Sequence, residues 1–570
     1  MAEHRGVGQL PESTTVLVVG GGPIGLITSL LLASLQIDHV VVERRIDVQT
    51  APAAHVTNAR TFEILRSAGV DMDRILEACQ PVEEGAWVRW VTTLAGEEFG
   101  RVPFERHDRM EELDWITPTP LRNLSQHRLE PILRDHVDSL FVGVEWAGDT
   151  VDEVGVTSRL IDAGTGEARS LTSAYVIAAD GAGSALRRSH DISMEGPDVL
   201  QSFVMIHAEA DLRDLVGSSP ATLYWTLDPE ARGCFVAHDL ASTWVYMQEW
   251  SPEAEPFESF TEERCAAIFR RAAGVDDLAL DIRNIRPWRM TSQIAERYRD
   301  GRVFLVGDAA HRFPPSGGLG LNTGAADAHN LVWKLGAVLD GWAPPSLLET
   351  YETERRPIAE TNAAKSLENA LKMIEVYLAT GLAPTPEESI ANFKEIVASP
   401  SGREAIGVAA QGQSEHFDML GLQLGFAYEM SDALVSDEES TADTFGDPVR
   451  DYFPSTKPGG RMPHAWVTRD EVRISMLDLV GVDHFTFITN STHWSAAARS
   501  VSAGPIPLEV VEVGRQIVDG DGHWESVAEL GHDGAILVRP DGHVAWKILE
   551  LPDKPEDVLT NVLSHAGGHA

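Results

Sequence analysis

The stretch VLVVGGGPIG at residues 16–25 decides the fold, because it joins a short apolar run to three spaced glycines and the start of a helix. This order is typical of the first strand, turn and helix of a dinucleotide-binding unit. Gly20, Gly22 and Gly25 then suit the tight turn, the close approach of a phosphate and the packing of helix on strand. The segment predicts a parallel α/β fold.

The uncharged run from Val16 to Leu35 also has the length of a membrane span. Its centre, however, holds the three glycines and Pro23, and the polar residues before it, among them Glu3 and Glu12, end in no clear cleavage site. We therefore predict a strand, a turn and a helix here, and no membrane partner.

A second apolar run, HVVVERR at 39–45, ends in an acidic residue. A carboxylate about twenty residues after the glycines accepts hydrogen bonds from the ribose hydroxyls of a bound dinucleotide. Glu43 is therefore a predicted cofactor-binding residue, and Arg44 comes directly after it. NAD and FAD would both fit this half of the site.

Two later segments extend the pattern: AYVIAADGAGSALRRS at 174–189 and VFLVGDAAHRFPPSGGLGLNTGAADAHNLVWKL at 303–335. A unit that binds only NAD does not need them. Together the three segments resemble the fingerprints of the class A FAD-dependent aromatic hydroxylases, the para-hydroxybenzoate hydroxylase family, and within it the phenol, dichlorophenol and polyketide hydroxylases. The resemblance implies FAD as the bound cofactor and NAD(P)H as the reductant.

The third segment carries most of the expected flavin contacts. Asp308 follows the apolar strand of this segment, at the carboxyl end of that strand. Its side chain would accept hydrogen bonds from the ribityl hydroxyls of the flavin. We expect the next helix to begin near Asn322 or Thr323, with its N-terminus stabilising the negative charge of reduced flavin. The resemblance implies further cofactor contacts at Gln126, Asp180, Pro315, Gly318, Leu321 and Asn322.

His55, in AAHVTNARTFEIL at 53–65, is the predicted catalytic residue. It lies five residues before Arg60, where related phenol hydroxylases carry an Asp or His that contacts substrate. A phenol has a pKa of about 10 in solution, so a site that works at neutral pH benefits from a base, and histidine titrates near neutrality. The alternative is a histidine that only hydrogen-bonds the backbone, and for His311 we expect such a structural role.

One departure from the family lies just before His55. The family usually reads Pro-Arg-Ala where this chain reads Pro52-Ala53-Ala54. That Arg helps the family to hold the FAD diphosphate and the nicotinamide cofactor. Arg44, Arg45 and Arg60 are the candidates to replace it.

Residues 195–290 alternate apolar and polar side chains, which predicts antiparallel strands. We expect this inserted sheet, with part of the chain near 85–120, to form the substrate-binding domain over the flavin. Its aromatic candidates are Tyr224, Trp225, Trp244, Tyr246 and Trp288. Of these, Trp225 and Tyr246 are the predicted substrate contacts, although most such side chains belong to the core.

The predicted architecture is α/β: a Rossmann-like FAD-binding domain formed by 1–194 and 291–400, with the sheet domain inserted between them. The region 401–447, which ends in an acidic stretch, is the predicted linker. The tail, 448–570, resembles the thioredoxin-like C-terminal domain of phenol and polyketide hydroxylases. It has no cysteine, so thiol chemistry is excluded, and we expect a structural role or a homodimer contact.

The composition restricts the classes of molecule that the protein can bind. The net charge is −41, which repels nucleic acid and anionic membranes and leaves a small-molecule substrate, a neutral phenol rather than a polycarboxylate. Cys79, Cys234 and Cys265 have no CxxC or metal-ligand spacing, so we expect no metal, no disulfide framework and a cytoplasmic location.

The sequence thus predicts a single-component monooxygenase that uses FAD, NAD(P)H and molecular oxygen to hydroxylate a phenolic ring ortho to its hydroxyl, by way of a hydroperoxyflavin. Hydroxylation or epoxidation of a polycyclic polyketide is the alternative. A flavin halogenase would need a WxWxIP signature, and residues 87–90 read WVRW followed by VTT. A flavin-binding sensor or ligand-sequestering protein without turnover, with Ala53 as the lesion, is the remaining alternative.

Overall fold

The computed structural model describes residues 6–49, 51–119, 121–218, 220–429, 431–435 and 446–569. Most of the acidic stretch interpreted as a linker, 436–445, lies outside the described residues. The described chain forms a nucleotide-binding α/β domain, a mixed sheet inserted into it, and a C-terminal α/β domain.

The nucleotide-binding domain is built on an eight-stranded sheet. Val16 pairs in parallel register with His39 on one side and Tyr175 on the other. Its strands, in spatial order, are Arg299–Asp300, Val303–Leu305, Ala168–Ala178, Ser13–Val19, His39–Glu43 and Leu140–Val142, with Val144–Val151 and Val156–Asp162 as an antiparallel extension from Ala168–Ala178. Five neighbouring strands, from Val303–Leu305 to Leu140–Val142, are parallel and therefore place their carboxyl ends at one edge of the sheet.

Helices cover this sheet because packing against it removes their apolar side chains from water. Pro23–Ser34 is buried along most of its length, so the run from Val16 to Leu35 is a strand, a turn and a buried helix, as predicted. Among the helices of the described ranges, none is both long enough and apolar enough to cross a membrane. The other helices of this domain are Ala59–Ser67, Met72–Ala78, Gln126–Asp135, Ala185–Ser189, Leu319–Leu339 and Thr350–Ala379.

The inserted domain is a seven-stranded sheet. Its strands, in spatial order, are Asp281–Met290, Gln201–Glu209, Thr243–Trp250, Gly233–Asp239, Leu223–Thr226, Trp87–Val91 and Glu98–Pro103. The neighbouring strands are antiparallel as predicted, except for the parallel pair of Leu223 with Val88. The helix Glu262–Ala273 covers one face, and the other face turns toward the nucleotide-binding domain and the later helices.

The region 401–447, interpreted as a linker, begins as packed structure. The helix Pro400–Gln411 lies against Glu98–Pro103, and Ile406 and Ala410 are fully buried because they complete the apolar cluster on that side of the sheet. Neighbouring helices are Pro386–Ala398 and Leu420–Leu424. Shorter elements elsewhere are the helices Met110–Leu113 and Arg213–Val216 and the strands Val56–Thr57, Arg122–Asn123, Met194–Glu195, Gln293–Ala295 and His311–Arg312.

The C-terminal domain has the thioredoxin-like arrangement. Its sheet runs Leu508–Glu512, Phe485–Thr489, Ala535–Val538, Val544–Ile548, with the first pair parallel and the others antiparallel. Its other elements are the helices Thr492–Val501, His523–Ala528 and Pro555–Ala566 and the strands Trp466–Arg469 and Val472–Ser475. The domain packs on Leu319–Leu339, where the rings of Trp333 and Phe485 lie 6.0 Å apart.

Candidate active site

The glycine turn at 20–25 is built for close contact. A Cβ atom on Gly25 would lie 1.8 Å from the carbonyl oxygen of Gly20, so only glycine lets the helix Pro23–Ser34 approach its own strand. Around Gly22 no atom of the described chain lies within 4 Å of such a Cβ. Gly22 therefore leaves open space in front of the helix N-terminus, which is where a phosphate binds.

Glu43 lies directly behind this turn. Its buried carboxylate accepts from the backbone N–H of Gly21 at 2.9 Å, and from Arg45 through both the backbone N–H at 2.9 Å and Nε at 3.2 Å. Each carboxylate oxygen offers two acceptor sites, so capacity remains for ribose hydroxyls. The position agrees with the predicted ribose contact, and the carboxylate also fixes the glycine turn.

Two further acidic residues come after the carboxyl ends of the adjacent parallel strands. Asp180 accepts from the backbone N–H groups of Ala185 and Leu186 through Oδ2, while its Oδ1 is buried with no hydrogen-bond partner in the described chain. No hydrogen bond or ion pair reaches the carboxylate of Asp308 from residues that the structure describes. A buried acceptor without a donor is costly, so Oδ1 of Asp180 is available for a bound polar group, as is the exposed carboxylate of Asp308.

The side chain of Asp308 is exposed to solvent. The protein atoms around it raise its pKa by desolvation, and the nearby His311 and Arg312 oppose that rise. His311 itself is fully buried and hydrogen-bonds Asp327 Oδ2 through Nε2 at 2.7 Å. His311 is therefore structural, as expected.

The helix after the glycine-rich turn begins earlier than predicted. It spans Leu319–Leu339 and its N-cap is Gly318, with φ +64°, so the prediction of a start at Asn322 or Thr323 was wrong. Asn322 is instead a buried crosslink: its Oδ1 accepts from Asn58 N–H at 3.0 Å, and its Nδ2 donates to Val56 O at 3.0 Å.

Gly318 also needs to be glycine for space. A Cβ there would lie 2.5 Å from Cβ of Val56, so the turn passes directly over the strand Val56–Thr57. Pro315 is exposed on this turn and Leu321 is half-buried behind it. Both predicted residues lie within three residues of Gly318 in the sequence, beside the N-terminus of the helix Leu319–Leu339.

Gln126 begins the helix Gln126–Asp135 and is half-buried. Its Nε2 donates to Glu130 Oε1 at 2.6 Å, and its backbone N–H donates to Ala54 O at 2.7 Å. Burial raises the pKa of Glu130, whose second oxygen has no partner in the described chain. The start of this helix therefore places polar groups beside the segment before His55, and the FAD contact of Gln126 stays a prediction.

These features fit FAD. Open space at Gly22 before a helix N-terminus suits a diphosphate, Glu43 suits a ribose, and the unpartnered oxygens of Asp180 and Asp308 suit polyol hydroxyls. The turn at Gly318 supplies a second helix N-terminus for a negatively charged ring edge.

Of the three arginines that could replace the missing family Arg at position 53, Arg60 is engaged in the interior and Arg45 is engaged at the surface. Arg60 is buried, and donates to Glu63 Oε2 at 3.2 Å and to Asp541 O at 2.6 Å. Arg45 binds Glu43 and Gln49, and Arg44 is exposed. Arg44 and Arg45 therefore remain as the candidates.

His55 is held in one tautomer. Its Nδ1 lies 2.8 Å from Oδ1 of Asn123, and Nδ2 of Asn123 donates to Gln80 Oε1 at 2.6 Å, which fixes the orientation of that amide. His55 Nδ1 must therefore carry the hydrogen, and Nε2 keeps a free lone pair. Burial lowers the pKa of His55 and the Asn123 hydrogen bond opposes this, so the ring is neutral at neutral pH and ready to accept a proton.

A second histidine pair lies beside His55. The rings of His55 and His238 meet edge to face at 5.5 Å. Ser125 Oγ lies 2.7 Å from Nδ1 of His238 and 2.8 Å from Nδ1 of His127. Ser125 is the N-cap of its helix, yet its hydroxyl makes no capping bond, because it is used by these two rings. Burial lowers the pKa of His238 well below its usual value, and His55 adds to that effect.

The aromatic candidates divide between the two faces of the inserted sheet. Tyr224, Trp244 and Tyr246 are fully buried under the helix Glu262–Ala273. Tyr246 donates to Ala231 O at 2.9 Å, so we correct its assignment: it is a core residue and makes no substrate contact. Trp225 is half-buried on the opposite face, and its register with Cys234 puts it on the side of His238.

Sequence reasoning missed Asn123, Gln80, Ser125 and His238. Asn123 comes after Arg122 in a two-residue strand, and His238 comes from the other domain, so no local spacing connects either of them to His55. The one local signal was Ser125 before a helix, and it points to a cap rather than to a histidine contact.

Comparisons with known proteins agree with this geometry. Residues 13–366 match the family model described as FAD binding domain, and residues 455–570 match the one described as aromatic-ring hydroxylase, C-terminal. A putative polyketide hydroxylase of Streptomyces halstedii is 33% identical, covering 98% of each chain. A 2,4-dichlorophenol 6-monooxygenase of Cupriavidus pinatubonensis is 34% identical, over 95% of this chain and 94% of that protein. The crystal structure of the flavin-dependent monooxygenase PieE with FAD and substrate superposes with a TM-score of 0.91 at 33% identity, covering 98% and 99% of the chains.

The nucleotide-binding domain, with its inserted sheet, has the fold of an FAD-dependent monooxygenase. With relatives above 30% identity over nearly its whole length, the chain belongs to the FAD-dependent aromatic-ring hydroxylase family. FAD is its cofactor, and NAD(P)H is the usual reductant of this family.

Proposed function

We propose that this monooxygenase hydroxylates a phenolic ring ortho to its hydroxyl, with His55 as the base. The observation that carries the proposal is the hydrogen-bond chain from Gln80 through Asn123 to His55 Nδ1, because it leaves Nε2 unprotonated. A phenol is far more electron-rich as its phenolate, so removal of its proton activates the ring for an electrophilic oxygen.

The chain's own residues hold FAD in this proposal. Gly22 and the helix Pro23–Ser34 take the diphosphate, Glu43 the ribose, Asp308 the ribityl hydroxyls, and the N–H groups after Gly318 the pyrimidine edge. When bound, FAD takes a hydride from NAD(P)H and activates molecular oxygen for transfer to the ring.

His55 accepts the phenol proton at Nε2 while Asn123 stabilises the resulting charge through Nδ1–H. The neighbouring rings of His238 and His127 are neutral, because burial lowers the pKa of both, to about 4 for His127. They therefore do not compete with His55 by positive charge at neutral pH. Trp225 on the inner face of the sheet supplies an apolar wall for the ring.

The experiment is to reconstitute the protein with FAD and to follow NADH and NADPH oxidation in air with a panel of phenols and polycyclic phenols. The expected result is oxidation stimulated by one phenol and a product heavier by one oxygen. His55→Ala should then reduce hydroxylation by about 10²–10⁴-fold, the usual contribution of a general base. A normal rate and coupling in this variant would remove His55 from the mechanism.

Hydroxylation of a polycyclic polyketide is the second candidate, supported by the similarity to a polyketide hydroxylase and to PieE. The same residues serve both reactions, so the panel discriminates them by which ring system gives product. A sensor or sequestering protein is the explanation that remains if flavin binds and every candidate yields only peroxide.

We also propose a homodimer. Supporting it, the helix Thr350–Ala379 exposes an apolar stripe, with Leu371, Ile374 and Leu378 between 45% and 61% exposed at spacings of three and four residues. Light scattering of the holoprotein tests this, and Leu378→Glu should shift the mass toward the monomer. An unchanged mass in that variant rules out this stripe as the contact.

A further inference from the structure

The flavin-facing ends of two helices are fastened to each other. Asn322, in the first turn of Leu319–Leu339, accepts from Asn58 N–H and from Thr61 Oγ1, at 3.0 and 2.8 Å. Asn58 is the N-cap of Ala59–Ser67 and accepts from Thr61 N–H. A movement of either helix would therefore displace the residues at the proposed flavin site.

The C-terminal domain grips the first of these helices through a buried ion pair. Arg461 Nε and Nη2 bind the two oxygens of Glu63 at 2.9 and 2.5 Å, and both side chains are almost completely buried. Burial alone would raise the pKa of Glu63, but Arg461 and Arg60 outweigh it and lower that pKa to about 2. Glu63 is therefore a carboxylate at all working pH values.

The same domain grips the second helix through Arg539 and Asp541. Asp541 Oδ2 accepts from Asn330 Nδ2 at 3.1 Å, and Asn330 lies on Leu319–Leu339. Arg539 binds both oxygens of Glu354, on the helix Thr350–Ala379, at 2.7 and 2.8 Å. Lys334 of Leu319–Leu339 donates to the same carboxylate at 2.7 Å, so Arg539 reaches the second helix through Glu354. The charged atoms of this group are completely buried.

Such groups are poor sources of stability, because the desolvation of buried charges offsets most of their attraction. They do supply one fixed geometry, since a small displacement leaves a charge unpaired in a place without water. Two ion-pair groups of this kind join the C-terminal domain to the helices that meet at Asn322.

We propose that Arg461 and Arg539 are positioning residues for the flavin: the C-terminal domain holds Ala59–Ser67 and Leu319–Leu339 at the spacing that the FAD site needs. This role belongs to the single chain and is independent of which phenol is the substrate. It gives the cysteine-free domain a function other than thiol chemistry or dimer formation.

The test uses full-length protein stripped of FAD and titrated with FAD alone. Arg461→Met and Arg539→Met each release one grip. Arg461→Met leaves Glu63 paired with Arg60 at 3.2 Å, and Glu63→Gln/Arg461→Met removes both charges of the first pair while keeping an amide oxygen that can accept from Arg60. Arg66→Met is the matched control: it breaks the partly exposed Arg66–Asp478 pair, which joins the same helix to the same domain at 2.7 Å. The readouts are the FAD dissociation constant, the visible circular dichroism of bound FAD, the oligomeric mass and the thermal midpoint.

We expect FAD affinity to fall by about tenfold or more in the Arg461 and Arg539 variants, with an altered flavin dichroism and an unchanged mass. Arg66→Met should bind FAD like the native protein, and Arg461→Lys should recover part of the loss because it keeps the charge. If Arg461→Met does not fold, the double variant carries the same expectation. Native FAD affinity and dichroism in the double variant, or a loss that accompanies dissociation of a dimer, would overturn the proposal.

Discussion

Asn123→Asp should move the pH dependence of the enzyme. The amide oxygen of Asn123 lies 2.8 Å from His55 Nδ1, so the substitution puts a carboxylate against the N–H of the proposed base with almost no change of shape. An opposite charge within hydrogen-bond distance raises a histidine pKa by about 1–3 units, or about 1.4–4 kcal/mol of preference for the imidazolium. Gln80 Nε2, buried and without a partner in the described chain, is one amide flip away from donating to the new carboxylate.

The direction of the change depends on which form of His55 is active. In the native protein burial lowers the pKa of His55, so the neutral, proton-accepting ring persists to pH values below 6.5, and the rate falls only as pH drops through that lowered pKa. In Asn123→Asp the pKa is raised, so the acidic limb of kcat/KM should move to higher pH by about 1–3 units. Asn123→Leu, which removes the acceptor and adds no charge, should lower the rate without this upward move.

Two measurements are needed: kcat/KM against pH with a phenol that the native protein hydroxylates, and NMR titration of carbon-labelled histidine, with His55→Gln to assign the signal. If the acidic limb of kcat/KM and the NMR titration of His55 both move to higher pH, the result supports His55 as the base. If the titration moves and the limb stays, His55 is not the base. If neither moves, the hydrogen bond from His55 to Asn123 is wrong.

Three further outcomes are expected. Gly25→Ala should lower the thermal midpoint of the apoprotein because its Cβ has no space, whereas Gly22→Ala should leave that midpoint near native and weaken FAD binding in a titration; equal midpoints in the two variants would contradict this. Asp308→Ala should weaken FAD binding by removing an acceptor, and full flavin retention after gel filtration would exclude its role. Tyr246→Phe should cost about 0.5–1.5 kcal/mol in denaturant unfolding with KM unchanged, while Trp225→Ala should raise KM; the reverse pattern would mean the two faces of the sheet are misassigned.

Local patterns in the sequence were enough to predict the parallel strands and the acidic residues at their carboxyl ends. Val16 and Val41 lie in apolar runs of strand length, and Glu43 and Asp308 lie at or just after the ends of such runs, so their positions at one sheet edge result from parallel pairing. The cysteine-free C-terminal domain was likewise recognisable from its own alternating segments.

Contacts between distant segments were not predictable. Asn322 is a good N-cap by residue type, but its side chain is taken by Val56 and Asn58, and the left-handed Gly318 caps the helix instead. A period of two separates the faces of a strand, and it does not say which face a helix will cover, so Tyr246 was assigned to the wrong face. The partners of His55 likewise come together only in the folded chain.

The ion pairs that join the C-terminal domain to the rest of the chain have a consequence for protein engineering. A chimera that takes residues 446–569 from another hydroxylase would import its own counterparts of Arg461 and Arg539 opposite a resident Glu63 and Glu354. Any mismatch would bury a lone charge, so the crossover point must be chosen such that both members of each pair come from one parent. The tail of this chain is therefore not an exchangeable module, although it has a sheet and a core of its own.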